Sequence, residues 1–373
     1  MWGNALAASA LLVAMLGPLM GALVDAGGRR KPLLAACSAV TIVGAAALWF
    51  AKPEPSYALW AAVCVAIANA AFELGMVLYN AMLPGLAGPG RVGRLSGWGW
   101  ALGYAGGLVC LVVALVVFVQ ADPPPFGLDA ASAEPIRIVA PLAALWFVAF
   151  GWPIFVFTSD TPSSGAPVGA ALRRGTARLW ATLRGFRARP TIFRFLIARM
   201  IFIDGLNTLL AFGGIYAAGT FGMDMAGVIG FAIALNVSAG LGALGFGWVD
   251  DRLGAKRTLV ISLIGLLAAG SLGVVAPSAG WFWAAGIAIG VFIGPTQSAS
   301  RSMMARLAPP ERINEMFGLL AFSGKATAFA GPLLVGWVTL ATGSQRVGMA
   351  TILVFFAVGL ALLLPLRVPG EAE

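Results

Sequence analysis

Long apolar runs alternate with short polar stretches along the whole chain. Runs near 4–24, 33–51, 57–80, 97–119, 139–158, 192–218, 226–248, 258–276, 281–305, 316–341 and 348–366 each supply about 20 mainly apolar residues, enough to cross a bilayer as a helix. The pattern predicts an all-α integral membrane protein with about eleven transmembrane helices. The polar stretches sort by parity. One set holds Arg29, Arg30 and Lys31, then Arg91 and Arg94, then the arginines from Arg173 to Arg194, then Arg252, Lys256 and Arg257, then Arg306 and Arg312. The opposite set holds little beyond Lys52, Arg137 and Arg346. Basic loops stay in the cytoplasm, so the first set is placed there.

Composition agrees with a lipid-facing surface. Of 373 residues, 60% are hydrophobic and 10% charged, with a mean hydropathy of +0.91, whereas soluble domains carry about 25% charged residues. The net charge of +9 does not indicate nucleic acid, because the basic residues lie in short loops and form no continuous face. Cys37, Cys64 and Cys110 sit in apolar runs far apart and read as small core residues. There is no histidine, so the commonest metal ligand and neutral-pH proton shuttle is missing, and no metal or cofactor is expected. The absence of Lys or Arg before the first run, with further runs following, argues against a cleaved signal peptide.

Two polar hairpins repeat. Gly21-Ala-Leu-Val-Asp-Ala-Gly-Gly-Arg-Arg-Lys31 and Gly247-Trp-Val-Asp-Asp-Arg-Leu-Gly-Ala-Lys-Arg257 share a Gly, an acid (Asp25, Asp251), a Gly three residues on (Gly28, Gly254) and a basic pair (Arg30 and Lys31, Lys256 and Arg257). Glycine permits the tight turn. Leu86–Arg91 aligns in the same register with Leu307–Arg312. The halves are read as 1–158, an N-terminal bundle of five helices, and 192–373, a C-terminal bundle of six, joined by a basic cytoplasmic linker at 159–191. In that linker Arg173, Arg174, Arg178, Arg184, Arg187 and Arg189 fit either a basic helix on anionic headgroups or a solvated connector.

The repeated hairpin resembles the loop signature of the major facilitator superfamily, which implies a two-bundle fold. Tyr79-Asn-Ala-Met-Leu-Pro84, the stretch Gly93–Gly107, Asp204-Gly205, Gln297-Ser-Ala-Ser-Arg-Ser302, Phe322-Ser-Gly-Lys325 and Gly331-Pro332 resemble more narrowly the branch containing the autophagy-related vacuolar amino-acid effluxer and its uncharacterised bacterial relatives. The resemblance implies solute export or exchange, with amino acids as one known cargo. Two runs precede the hairpin in the second half and one in the first. A twelve-helix architecture would therefore place one more span upstream of Met1, bearing a Tyr-Asp-Trp-Ala-type motif. A late start is the expected explanation, and a true eleven-helix protein the alternative.

Charges inside apolar runs are costly and are functional candidates by default. They are Glu73, Arg199, Asp204, Arg301 and Lys325, with Asn207 and Gln297 as polar candidates. In the superfamily's helix order Glu73, Asp204 and Arg301 fall on cavity-lining helices and Lys325 on a helix at the bundle seam. Arg199 and Asp204 stand about 140° apart around a helix, which leaves Asp204 open to another helix, a substrate amine or a proton. Arg301 is near enough to the cytoplasm to snorkel, and Ser96 is a candidate N-cap. Gly97, Gly99, Gly103, Gly106 and Gly107 offer close helix crossings. The cytoplasmic gate set is Asp25, Gly28, Arg29, Arg30, Lys31, Asp251, Arg252, Gly254, Lys256 and Arg257. The two acids are expected to meet basic residues or helix N-termini.

The leading reading is a secondary transporter of a small-molecule solute in a bacterial cytoplasmic membrane. Its partners are then the lipid bilayer and protons as candidate coupling ion, without nucleic acid, and a monomer is expected. A non-transporting membrane sensor or assembly factor on the same fold is the alternative. No catalytic spacing supports an enzyme.

Overall fold

The computed structural model describes residues 2–88, 90–160, 168–185 and 189–368; Arg187 of the linker and Pro89 of the second repeated stretch lie outside them. Among the described residues all regular structure is helical. The main helices are α1 (Trp2–Asp25), α2 (Arg30–Ala47), α3 (Ala58–Ala81), α4 (Val92–Val113), α5 (Val139–Gly151), α6 (Val168–Arg184), α7 (Pro190–Phe221), α8 (Met225–Leu253), α9 (Ala255–Val275), α10 (Ala279–Leu307), α11 (Ile313–Lys325), α12 (Ala330–Thr342) and α13 (Gln345–Leu363). By length and composition, eleven spans among the described residues can cross a membrane, as the apolar pattern predicts.

Backbone chemistry marks where the helices stop. Gly222 and Gly343 end α7 and α12 in the left-handed region, each with φ of 64°, which costs glycine little. Gly254 (φ 90°) alone separates α8 from α9. In the first hairpin the turning residue is Gly27 (φ 114°), one position before the expected Gly28. The span Pro310–Thr342 is broken between α11 and α12. Pro332 has no N–H to offer the residue-328 carbonyl, and the Ala330 N–H bonds the Thr327 carbonyl at 2.8 Å.

The chain packs as two compact units. The first comprises Met1–Met82, Gly106–Ala181 and Pro310–Phe322. In it α3 packs on α1 and α2, and α2 on α5; Asn69 Nδ2 donates to Ser9 Oγ at 2.8 Å between α3 and α1. The opening turns of α11 lie against α1, where a Cβ on Gly21 would overlap the Asn314 carbonyl and one on Gly318 would stand 2.6 Å from Pro18 Cα.

The second unit comprises Leu83–Ala105, Thr182–Pro309 and Ser323–Glu373. α10 packs on α8 and α9, and α13 on α7, α9 and α12. Gly286, Gly290 and Gly294 stand one turn apart on α10, where any Cβ would run into Phe231, Ser238 or the Ala239 carbonyl of α8. In lipid, where tails are as apolar as leucine, such close backbone approach is a main source of helix association.

Two arginines of the sparsely basic loops, Arg137 and Arg346, repeat a contact. Arg137 Nε donates to the Trp49 carbonyl at 2.8 Å and its guanidinium lies over the Trp49 ring. Arg346 Nη1 donates to the Val274 carbonyl at 2.7 Å and lies over the Phe221 ring. Each closes the C-terminal end of a span, where carbonyls lack intrahelical donors and a cation is favoured.

Candidate functional site

Each hairpin acid sits at the start of another helix. Asp25, the last residue of α1, accepts from Asn314 Nδ2 and Glu315 N, both at 2.7 Å, and from Asn314 N at 3.3 Å. The two backbone donors are the second and third N–H groups of α11, which have no intrahelical acceptor. Asp251 accepts from Gly93 N at 2.7 Å, at the start of α4, and pairs with Arg94 Nε at 2.6 Å. The two acids are physically equivalent, each a carboxylate that satisfies orphan donors where the helix dipole favours an anion.

Around each acid the surroundings differ. Arg30 Nε donates to Asn314 Oδ1 at 2.8 Å, fixing the amide that reaches Asp25. Asp160, from the start of the linker, accepts from the N–H groups of Arg30 and Lys31 at 3.1 and 3.0 Å and so caps α2. Lys31 Nζ donates to the carbonyls of Phe155 and Thr158. In the second unit Asp250, 2% exposed, accepts from Ser302 Oγ. It also forms a 2.7 Å ion pair with Arg306, which reaches Asp251 at 3.9 Å. Close crossing of α4 on α8 makes this possible: a Cβ on Gly97 would overlap the Ala243 carbonyl, and one on Gly93 would stand 2.6 Å from Asp250 Cβ.

Deeper in the second unit, Asp204 is 2% exposed on α7. Its Oδ2 accepts from Gly331 N at 3.2 Å, the second residue of α12, while Oδ1 has no hydrogen-bond partner among the described residues. Thr208 Oγ1 donates to the Asp204 carbonyl at 2.7 Å. Gly331 is required there, since a Cβ would overlap Thr208 Oγ1. Arg199 Nη1 donates to Ser323 Oγ at 2.8 Å. Gln297 Oε1 accepts from the Tyr104 hydroxyl at 2.6 Å.

Arg301 does not snorkel. It is 6% exposed and donates through Nε to Ser96 Oγ at 2.9 Å and through Nη2 to the Ser96 carbonyl at 2.6 Å. Ser96 in turn donates to the Ser298 carbonyl at 2.7 Å. Ser96 is therefore no N-cap: α4 begins at Val92, and the hydroxyl is spent between α4 and α10. The glycines of α4 also divide. Gly97 makes a close crossing, whereas Gly103 and Gly107 face open space.

Of the remaining candidates, Glu73 on α3, Asn207 on α7 and Lys325 at the end of α11 are half-buried. In the hairpins Arg29, Arg252 and Arg257 are exposed, Lys256 is half-buried, and Gly28 donates to the Val24 carbonyl at 3.1 Å. Sequence reasoning missed Asp160, Asn314, Ser302 and Tyr104 as site residues, although Ser302 and Tyr104 lie within stretches that carry the family resemblance. A signal existed for Asn314, which follows the repeated Leu307–Arg312 stretch, but none for Asp160.

A helical membrane fold whose two repeated hairpins each cap a helix is that of a major facilitator superfamily transporter. The same fold is found in the major facilitator superfamily transporter FucP in its outward conformation, with a TM-score of 0.74 at 14% identity over 97% of this chain and 89% of that one. The human organic anion transporter MFSD10 gives 0.69 at 15% over 97% and 83%. The chain belongs to the family described as vacuole effluxer Atg22 like, which it matches over residues 4–371. It is similar to the uncharacterized MFS-type transporter YxiO of Bacillus subtilis, 23% identical over 97% of this chain and 83% of that protein. It is also similar to autophagy-related protein 22 of Cryptococcus neoformans, 25% identical over 72% of this chain. The chain spans 52% of that fungal relative's length. It is thus an integral membrane transporter by fold and family.

Proposed function

We propose that this protein is a secondary active transporter that moves a small solute by alternating access, by export or exchange, across a bacterial cytoplasmic membrane. Amino acids or similar metabolites are the cargo class implied by the family resemblance, and protons are the coupling ion. It works as a monomer built from bundles 1–158 and 192–373 joined by the linker 159–191. The observation that carries the reading is Asp204, a carboxylate buried in a spanning helix with one oxygen unpaired among the described residues. Retaining such a group in a bilayer costs several kcal/mol or more. The family resemblance supports pairing it with a cargo amine or a proton. Glu73, Arg199, Asn207, Gln297, Arg301 and Lys325 complete the cargo-facing set, and the two hairpins form the cytoplasmic gate. Arg301 and Gln297 orient α4 against α10 within that set, since each already has a partner there.

Uptake and counterflow of a broad amino-acid panel in proteoliposomes test this. Uptake of at least one solute, with its gradient-driven component lost in Asp204→Asn while counterflow remains, is the expected result. A well-folded protein that moves none of the panel and shows no counterflow favours the sensor or assembly-factor alternative.

A further inference from the structure

The linker helix α6 has two faces with different surroundings. Its inner face rests on the cytoplasmic end of α1. A Cβ on Gly175 would stand 3.0 Å from Leu23 N and 3.1 Å from the Ala22 carbonyl, so the two backbones nearly touch. Ala171, one turn earlier, is buried, and Arg178 Nη1 donates to the Asp25 carbonyl at 2.7 Å. These contacts hold the middle of α6 level with the last turn of a membrane span. That is the depth of the headgroups, on the side where the basic loops lie.

The outer face is amphipathic. Leu172 and Trp180 are 42% and 56% exposed. At 100° per residue, Leu172, Thr176 and Trp180 lie within about 80° of one another, and Arg173 stands about 20° beyond Trp180. Arg174 follows. Arg173 and Arg174 are both exposed and make no hydrogen bond or ion pair among the described residues. The apolar surface that Leu172 and Trp180 expose gains nothing from water. An interface gives the apolar strip an acyl boundary and the guanidinium groups phosphate oxygens.

We propose that the outer face of α6 is a binding surface for anionic phospholipid headgroups. Lipid held there seats the linker on the membrane and steadies the first hairpin through Gly175 and Arg178. The charge of Arg173 and Arg174 selects anionic over zwitterionic lipid, while Leu172 and Trp180 set the depth. The proposal does not depend on the cargo or on coupling.

The test uses the full chain in lipid nanodiscs, with brominated lipid as the quenching probe. Trp180 emission is taken as the difference between the parent protein and Trp180→Phe. Brominated phosphatidylglycerol should quench it more than brominated phosphatidylcholine at equal mole fraction in a mixed bilayer. Arg173→Gln with Arg174→Gln should weaken that preference by about fivefold per arginine, the attraction of one basic residue to an anionic surface. Equal quenching by the two lipids, or none by either, overturns the proposal. That comparison is made on the parent protein and stands whether or not the double variant folds. An undiminished preference in a folded double variant overturns it as well.

Discussion

Asp251 holds two kinds of donor at once: the Gly93 N–H and the Arg94 side chain. Asp251→Asn keeps an acceptor for the N–H but removes the charge that Arg94 and Arg306 face. The expected outcome is weaker closure on the cytoplasmic side, read as faster labelling of cysteines placed near the inner ends of α4 and α8. Unchanged labelling would sink the gate role of this residue. Arg301 supports a second prediction. Its Nε and Nη2 engage a hydroxyl and a carbonyl of the same residue, a forked geometry that lysine cannot reproduce. Hydrogen bonds from charged groups contribute about 1.5–3 kcal/mol. Arg301→Ala and Arg301→Lys should therefore both lower the thermal unfolding midpoint of the purified protein. A lysine variant as stable as the parent would show that charge, and not the fork, matters there.

Between helices, glycine separates two kinds of position that look alike in sequence. Gly290 and Gly294 bring α10 against the α8 backbone. Gly290→Val or Gly294→Val should destabilise by about 3 kcal/mol or more, since overpacking meets α8 backbone that cannot turn aside, the Leu235 carbonyl behind Ser238 Oγ at Gly290 and the Ala239 carbonyl at Gly294. Gly103 meets nothing within 4 Å. Gly103→Ala should be neutral, or stabilising by up to about 1 kcal/mol from helix propensity alone. Thermal stability in one detergent compares them directly, and equal losses in both would refute the packing assignment. The interruption between α11 and α12 belongs to the same scale. Pro332 frees one carbonyl, and the Gly331 N–H, left without its helical acceptor, turns to Asp204. A break in one span thus creates the setting for a charge in another.

For the transporter as a whole, coupling is the property to measure. If Asp204 or Glu73 carries a proton in each cycle, transport driven by an imposed pH gradient should disappear in Asp204→Asn or Glu73→Gln, while solute counterflow persists. Both variants retaining the parent's pH dependence would exclude proton coupling through these residues. Uptake into proteoliposomes of defined orientation, with and without the gradient, distinguishes the outcomes.

The apolar runs and the twin hairpins were enough to determine a helical membrane transporter. Spanning a bilayer requires about 20 apolar residues in one stretch, which is written contiguously in the chain. Asp25 and Asp251 were legible as special for the same reason, through a repeat of fixed spacing. Their partners were not. Asn314 lies 289 residues from Asp25 and Gly93 158 residues from Asp251, and such contacts depend on how closely helices approach. Arg301 looked free to reach water because its height in the membrane is readable from sequence, whereas the direction of its helix face is not. Only the crossing of α4 on α10 placed Ser96 in front of it. Tertiary packing likewise decided which glycines are close crossings, and turned the proline-broken span towards Asp204. In lipid, helix pairing rests on backbone approach and on which polar groups find one another, and a hydropathy pattern records neither.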